Sequence, residues 1–280
     1  MSPHIETPSS SPPLMEDAGY LAAPGAHLYT VLHRVANPVC RVLLIGPFAS
    51  ERQNSYLPWV RWARYLAARN VEVLRYDYRG VGESGGLFEE ATFSDWRDDV
   101  EFLAQWLANR TPSVPLVLHG LEIGALFAAD SFERGVADAL LLWSPPDNAN
   151  QALRSTLQRW VGLQQLLTAT DERKTASDYI RQLEQGIPVE VEGYQWTTKH
   201  WQESFNWALP SNVLPGGQHR KSARPVQIVK LPKQAAPLVK GGFVGYDEVK
   251  DFEWLFAGNA DWIETEVLNC RKTQCDEASI

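Results

Sequence analysis

The hydrophobic pattern of the chain is a series of short apolar runs that alternate with longer amphipathic stretches. The nearly continuous apolar runs are residues 39–45, 71–76, 114–118 and 137–143. Runs of this kind, without polar alternation, are typical of parallel strands that are covered on both faces. The amphipathic stretches, with apolar side chains at helical spacing, are residues 59–68, 93–107 and 123–134. The alternation predicts strand–helix units joined by crossover connections.

Both ends of this pattern differ from its middle. Two β-like runs at residues 20–22 and 27–32 are separated by Pro24-Gly25, which predicts an antiparallel hairpin before the parallel part. Residues 149–185 are polar and helical without a strand signal, and a strand pattern resumes only at 225–231. The prediction is therefore an α/β fold, a mostly parallel sheet with flanking helices and a helical insertion.

The same pattern gives the expected domain boundaries. We expect a disordered tail, an α/β core made of two segments, and a helical cap inserted between them. These parts are residues 1–18 for the tail, 19–146 and 223–280 for the core, and 147–222 for the cap.

Composition narrows the classes of function. The net charge of −8 and the pI near 5.3 argue against nucleic acid or an anionic membrane as the main partner. The sequence has no run of about 18 apolar residues, so no membrane-spanning helix is expected. Cys40, Cys270 and Cys275 cannot all pair with one another, and Cys270 and Cys275 form a C-x4-C spacing without a second ligand pair, so neither a disulfide nor a zinc site is expected. We expect reduced thiols, no metal, no cofactor and a cytoplasmic location.

One stretch carries the pattern of a catalytic turn. The apolar run at 114–118 leads into Gly120-Leu121-Glu122-Ile123-Gly124, followed by an Ala/Leu-rich helical pattern. Gly-x-X-x-Gly between a strand and a helix is the spacing of a nucleophile elbow, where small flanking residues permit a sharp turn. The central residue of such an elbow is normally serine, and here it is Glu122.

Several motifs around this turn resemble those of the α/β-hydrolase superfamily. They are Asp77-x-Arg79-Gly80-x-Gly82-x-Ser84, the segment 46–52, the elbow, the segment 140–145 and Glu192-Gly193-Tyr194. Together they are similar to the hydrolases encoded beside exosortase A systems in bacteria, and closest to the second subgroup, whose elbow residue is also not serine. The resemblance covers residues 28 to 268. It implies the α/β-hydrolase fold and supplies no reaction.

A serine hydrolase of this fold needs a nucleophile, an acid, a histidine after the last strand and two N–H donors for the oxyanion. The backbone donors would be Phe48 and Ile123. The histidines are His4, His27, His33, His119, His200 and His219, so none follows the last predicted strand at 225–231. The loop after that strand, 232–235, has no acid. Nucleophile, acid and base are all missing from their usual places.

Two roles remain open for Glu122. Its carboxylate can act as nucleophile or general base, with His200 of the insertion as the most plausible histidine partner. Alternatively, it can fold onto the N–H groups of Phe48 and Ile123 and the positive end of the following helix, as an internal anion that fills the oxyanion hole. We prefer the second interpretation, because the start of a helix favours a negative charge without any further catalytic group.

Further candidates line the predicted mouth of the site. Glu51 and Arg52 could bind a polar ligand, Ser144 ends a strand beside the elbow, and Trp196 and Trp201 could line an apolar pocket. Each has a simpler alternative: an exposed ion pair, a hydroxyl without an activating base, and core packing. Asp77 and Arg79 are expected to hold the glycine turn.

Three hypotheses for function follow. The first is a hydrolase-like protein without the serine triad, a pseudoenzyme that binds a small or acyl-type ligand, or a protein partner, in the former active-site cleft. The second is an atypical hydrolase of an ester-like bond that uses Glu122 with His200 or water. The third is an accessory protein of a bacterial exopolysaccharide or exosortase system, which rests on resemblance alone.

Overall fold

The computed structural model describes residues 15–47, 50–167, 173–214, 224–231 and 252–268. Its centre is a seven-stranded sheet in the order β1-β2-β4-β3-β5-β6-β9. The strands of this sheet are β1 (Met15–Ala23), β2 (Ala26–Arg34), β3 (Cys40–Ile45), β4 (Val71–Tyr76), β5 (Leu116–Leu121), β6 (Ala139–Trp143) and β9 (Val226–Val229). Strands β4, β3, β5, β6 and β9 run parallel to one another. Strand β2 pairs antiparallel with both of its neighbours, β1 and β4.

The helices of the core cover both faces of the sheet. They are α1 (Ser50–Ala67), α2 (Phe93–Asn109), α3 (Gly124–Glu133) and α7 (Glu253–Trp262), the last continuing as one π-helical turn (Ile263–Val267). One hydrophobic cluster lies under α2 and α3, and a second lies under α1 and α7. Strands β3, β5 and β6 are buried along their whole length between these layers. The predicted α/β class is confirmed.

The opening hairpin is longer than its sequence signal. Strand β1 begins at Met15, which pairs with Arg34, and the pairing continues to Ala23 opposite Ala26. Residues 15–18 belong to the tail that the sequence predicts, because acidic side chains and no apolar run mark them. They form a strand because β2 offers a full-length edge on which they pair, and local polarity does not oppose pairing at a sheet edge.

The insertion between β6 and β9 forms a separate layer at one end of the sheet, which we call the cap (residues 147–214 without 168–172). Its elements are α4 (Ala149–Leu167), α5 (Ala176–Glu184), β7 (Val189–Val191), β8 (Tyr194–Trp196) and α6 (Thr198–Glu203). The stretch 149–185, which the sequence predicts to be helical without a strand, contains two helices in its described residues. Thr175 starts the second with a capping box, in which its hydroxyl and the Asp178 carboxylate bond each other's backbone N–H groups.

None of the helices in the described residues is both long enough and apolar enough to cross a membrane.

Candidate functional site: a glutamate at the elbow

The turn between β5 and α3 has the backbone geometry of a nucleophile elbow. Glu122 adopts a left-handed conformation with φ of 51°, which is uncommon for a residue with a Cβ atom. A Cβ at Gly120 would lie 2.4 Å from Ala125 Cα, and one at Gly124 would lie 2.3 Å from Ile45 O. Both glycines are therefore required for the close approach of α3 to β5 and β3, and the turn presents Glu122 as the spacing predicted.

Backbone hydrogen bonds fix the elbow against the neighbouring strand. The Glu122 N–H donates to Trp143 O at 3.0 Å, and the Ala125 N–H donates to Glu122 O at 3.0 Å. Ile123 precedes α3 with helical dihedral angles and is buried, so its N–H stands at the positive end of the helix. Phe48, the other predicted oxyanion donor, lies outside the described residues.

A tyrosine beside the elbow holds the loop that follows β3. The buried Tyr78 hydroxyl donates to Gly46 O at 2.7 Å. That carbonyl also lies 2.4 Å from the position a Cβ would take at Gly124. Tyr78 thus fixes the strand-three loop against the start of α3. Sequence reasoning missed it, although an aromatic residue inside the Asp77–Gly80 turn was a visible signal.

His200, the proposed histidine partner of Glu122, lies in the interior of the cap–core contact. Its Nδ1 accepts from the Thr197 N–H at 3.2 Å, so Nε2 carries the proton and donates to Ala91 O at 2.9 Å. The ring stacks on Trp96, with 5.6 Å between ring centroids. Burial lowers the pKa of His200, although the Ala91 carbonyl opposes that shift. Both nitrogens are thus engaged with backbone, an arrangement that speaks against proton transfer with Glu122.

His119, which lies on β5 close to the elbow, is also structural. It is fully buried, and its Nδ1 accepts from Trp62 Nε1 at 3.0 Å. The imidazole packs edge to face on Trp143 and Trp59, at centroid distances of 4.5 and 4.9 Å. Burial holds the pKa of His119 well below its usual range, so the ring is neutral.

The predicted mouth residues Glu51 and Arg52 both make ion pairs. Glu51, in the first turn of α1, bonds the Arg159 guanidinium and accepts from the Thr156 hydroxyl at 3.4 Å, both on α4 of the cap. Arg52 donates to Asp77 Oδ1 at 2.6 Å. The paired Asp77 raises the pKa of Arg52 against the opposing effect of burial.

The glycine turn after β4 is held as the sequence predicted. Asp77 Oδ2 accepts from the Glu83 N–H at 3.0 Å, and Arg79 Nε donates to the buried Asp99 at 2.8 Å. Ser84 donates to Asp77 O at 2.6 Å. The turn is a packed structural unit and leaves its charged groups occupied.

The remaining predicted pocket residues lie in structural positions. Ser144, with φ of 45°, accepts the Leu231 N–H on its hydroxyl at 2.9 Å, so it joins the ends of β6 and β9. Trp196 and Trp201 are almost fully buried, and neither indole N–H has an acceptor within the described residues. Trp196 lines a small space in the interior that is too small to admit water. The other residues around this space are Phe88, Phe93, Trp96, Leu153 and His200. The tryptophans therefore pack the cap onto the core and line no open pocket.

Comparisons with known proteins agree with this architecture. The family model of serine aminopeptidase S33 matches residues 55–182, somewhat less than half of the chain. Est1E from Butyrivibrio proteoclasticus, solved with ferulic acid, is 14% identical over 89% of this chain and 99% of that one, with a TM-score of 0.59. The α/β hydrolase GrgF from Penicillium sp. sh18 is 14% identical over 90% and 99%, with a TM-score of 0.58. No curated protein matches the sequence.

The chain has the fold of the α/β hydrolases, and its residues 55–182 match the serine aminopeptidase S33 family model. Identities this low establish the fold and leave the chemistry to the residues of this chain.

Proposed function

We propose that this protein is an α/β-hydrolase-fold protein that lacks serine-hydrolase activity and binds a ligand or partner at its elbow, beneath the cap. The observation that carries the proposal is Glu122, which occupies the left-handed position where the nucleophile of this fold stands. The glycines that shape the turn are in place, so the backbone is intact while the serine hydroxyl is missing.

The histidines support the same conclusion. No histidine follows β9 in the sequence, the last one being His219. His200 and His119 each use a ring nitrogen to accept a hydrogen bond from a neighbouring N–H, and both are buried. Because the parts of a triad act as a unit, the loss of either the nucleophile or the base removes about as much activity as the loss of both, and this chain lacks both from their usual places.

The role we propose for Glu122 is that of an internal anion. Its carboxylate belongs to a residue two positions before the start of α3, where the helix dipole and the first N–H groups of the helix favour negative charge. A carboxylate held there occupies the place where a substrate oxyanion would develop in a hydrolase. The elbow would then recognise a ligand without splitting it.

The chemistry of the surroundings favours an acyl-type or aromatic ligand, or an apolar side chain of a protein partner. The cap and core meet through aromatic rings, including Phe88, Phe93, Trp96 and Trp196. The space between these rings is too small to admit water, so a ligand that entered between them would require part of the cap to move.

A catalytic role of Glu122 is the second candidate, and the elbow conformation itself favours it. A carboxylate at this position can attack an ester-like bond, and a water can then resolve the intermediate. Such a mechanism needs a base for that water, which neither His200 nor His119 supplies in its present hydrogen bonding.

The resemblance to hydrolases of exosortase A systems supports a more specific setting, a cytoplasmic accessory protein in bacterial exopolysaccharide or surface-protein export. Deleting the gene in its host should then change the amount of exported polymer or anchored protein. Unchanged export would contradict this setting and leave the proposal for the elbow intact.

Labelling with a fluorophosphonate probe tests the central part of the proposal. The wild-type protein and Glu122→Ser should both remain unlabelled, because a serine at the elbow has no histidine to activate it. A serine esterase of the same fold serves as the positive control. Efficient labelling of the wild-type protein at any serine would overturn the proposal.

A further inference from the structure

Strand β1 forms one edge of the sheet. Among the described residues it pairs only with β2, over its full length and without a bulge. It contains no proline or lysine, the residues with which proteins commonly prevent an edge strand from pairing further. Its acidic side chains, Glu16 and Asp17, bind Arg64 and Arg34 of the same chain. The outer side of β1 is therefore a template on which another strand can pair.

The hydrogen bonds of β2 show which backbone groups of β1 face this outer side. The Tyr29 carbonyl of β2 accepts from the Asp77 N–H at 3.0 Å, and the Tyr29 N–H donates to the Ser84 hydroxyl at 2.8 Å. Both groups of Tyr29 thus point away from β1. Tyr20 lies opposite Tyr29, and opposed residues in an antiparallel pair either bond each other or both point outward. By this alternation the backbone groups of four residues face outward, namely Glu16, Ala18, Tyr20 and Ala22.

A second copy of β1 fits this edge in one register. Two antiparallel copies bond only where outward-facing residues lie opposite each other, and they pair over the whole strand only when Gly19 lies opposite itself. Ala18 of one copy then exchanges hydrogen bonds with Tyr20 of the other. Counting all outward-facing residues, about eight backbone hydrogen bonds join the copies. The arrangement has a two-fold axis at Gly19, so it closes as a dimer.

The charges of the strand suit this register. Because the copies are antiparallel, Glu16 and Asp17 lie opposite apolar residues of the other copy, and no carboxylate faces another. The acidic end of each strand also meets the hairpin end of the other. At that end the Arg79 guanidinium donates to Pro24 O at 3.1 Å. Each end of the contact therefore brings a negative strand end towards a positive group.

The exposed aromatic side chain of β1 lies beside the same axis. Tyr20 packs edge to face on Tyr29, with 5.6 Å between ring centroids, yet 58% of it is exposed. In the paired copies the two Tyr20 side chains are diagonal neighbours on one face, about 7–8 Å apart, a distance that aromatic rings bridge. Dimerisation would thus cover a large side chain that the single chain leaves in water.

We propose that β1 is a homodimerisation edge, at which two copies of this chain pair antiparallel about Gly19 and join their sheets into one. The contact involves one strand of each copy and is small, so we expect a dissociation constant of about 10–100 μM. The elbow follows β5, the fifth strand from this edge and about 19 Å away. The dimer leaves the elbow uncovered, and the inference does not rest on the proposed function.

Oxidative cross-linking tests the register. With Cys270→Ser and Cys275→Ser as background, Gly19→Cys should form a disulfide-linked dimer, because residue 19 alone lies opposite itself, with about 4.5 Å between Cα atoms. A Cβ at Gly19 would meet no heavy atom within 4 Å, so the substitution fits the fold. Met15→Cys is the matched control. Met15 is exposed, but its two copies lie at opposite ends of the pair, about 27 Å apart.

Sedimentation equilibrium of the full chain, at about 5–500 μM, measures the dimer without an added cysteine. Ala18→Pro removes an outward N–H and no bond to β2, and should weaken dimerisation at least about tenfold. Ala18→Thr keeps that N–H and should change the dissociation constant less than about twofold. Ala22→Lys, opposite Glu16 of the other copy, should strengthen the dimer about fivefold, and Ala22→Glu should weaken it as much.

Three results would overturn the proposal. The first is a wild-type protein that stays monomeric at about 500 μM. The second is equal cross-linking of Gly19→Cys and Met15→Cys, or equal dimerisation of Ala18→Pro and Ala18→Thr. The third comes from hydrogen exchange, in which the Ala18 and Tyr20 amides should be protected only at high protein concentration. Their protection in the dilute monomer would show that another segment of this chain covers the edge.

Discussion

The backbone of the elbow has the geometry of a catalytic turn, whereas the side chains around it do not form a catalytic site. The turn from β5 to α3 has the left-handed residue and the two close glycine contacts that a nucleophile elbow requires. The groups that would use such a turn are engaged elsewhere, His200 with Ala91 and Ser144 with Leu231. The shape of a catalytic site and its chemistry are thus separate properties of this fold.

Packing explains why the shape can persist without the chemistry. Gly124 lies against the carbonyl groups of Ile45 and Gly46, and Gly120 lies against Ala125, whatever side chain occupies position 122. Those contacts join α3 to β3 and β5 in the middle of the sheet. The glycines are therefore required for the stability of the core, and their presence is no evidence for hydrolysis.

The largest effect is expected from Gly124→Ala. A Cβ at this position would lie 2.3 and 2.4 Å from two backbone oxygens, which cannot move without shifting β3. We expect a loss of more than about 3 kcal/mol in the free energy of unfolding, or no folded protein. Gly162→Ala on α4, where no heavy atom lies within 4 Å, should instead be neutral or stabilise by up to about 1 kcal/mol. Similar urea-unfolding curves for the two variants would contradict the packing role.

Acid should destabilise the protein because its buried histidines are neutral. Burial and the neighbouring Arg75 lower the pKa of His33 to about 4, against the opposing effect of Glu16. The unfolded chain binds this proton near pH 6.5, so the stability present above that pH is lost as the pH falls towards 4. Between pH 7.5 and 5 we expect a loss of about 2 kcal/mol from His33 alone.

Urea unfolding at the two pH values measures this loss, and His33→Gln should reduce it. An unaltered slope in His33→Gln would show that this histidine is not the cause.

Glu203→Ala tests how the end of α6 attaches the cap to the start of α2. Its removal leaves the buried Phe93 N–H at the start of α2 without the carboxylate that it bonds at 3.0 Å. We expect a loss of about 1–2 kcal/mol in the free energy of unfolding. Glu190→Ala, at an exposed position on β7, should change it by less than about 0.5 kcal/mol. An equal loss of unfolding free energy in the two variants would show that the bond from the Phe93 N–H to Glu203 does not hold the cap on the core.

The local pattern of the sequence predicted the elements that depend on local signals. The strand at 71–76 and the glycine spacing of the elbow were read correctly, because apolar runs and glycine turns act within a few residues. The break between α4 and α5 was missed, although the Thr175–Asp178 capping box was visible. Helical composition on both sides of the break concealed it.

Contacts that join distant segments could not be predicted in the same way. Arg159 meets Glu51 across 108 positions, and His200 meets Ala91 across 109. Nothing in the local sequence distinguishes a histidine that bonds backbone in the core from one that reaches a catalytic site. Only the position of the cap against α2 shows that His200 is engaged.

Hydrolysis of a panel of aryl and alkyl esters by the wild-type protein and Glu122→Gln distinguishes an elbow that binds from one that reacts. We expect no turnover above buffer for either protein. Turnover by the wild-type protein that disappears in Glu122→Gln, with the melting temperature unchanged, would contradict this expectation and establish Glu122 as a catalytic residue.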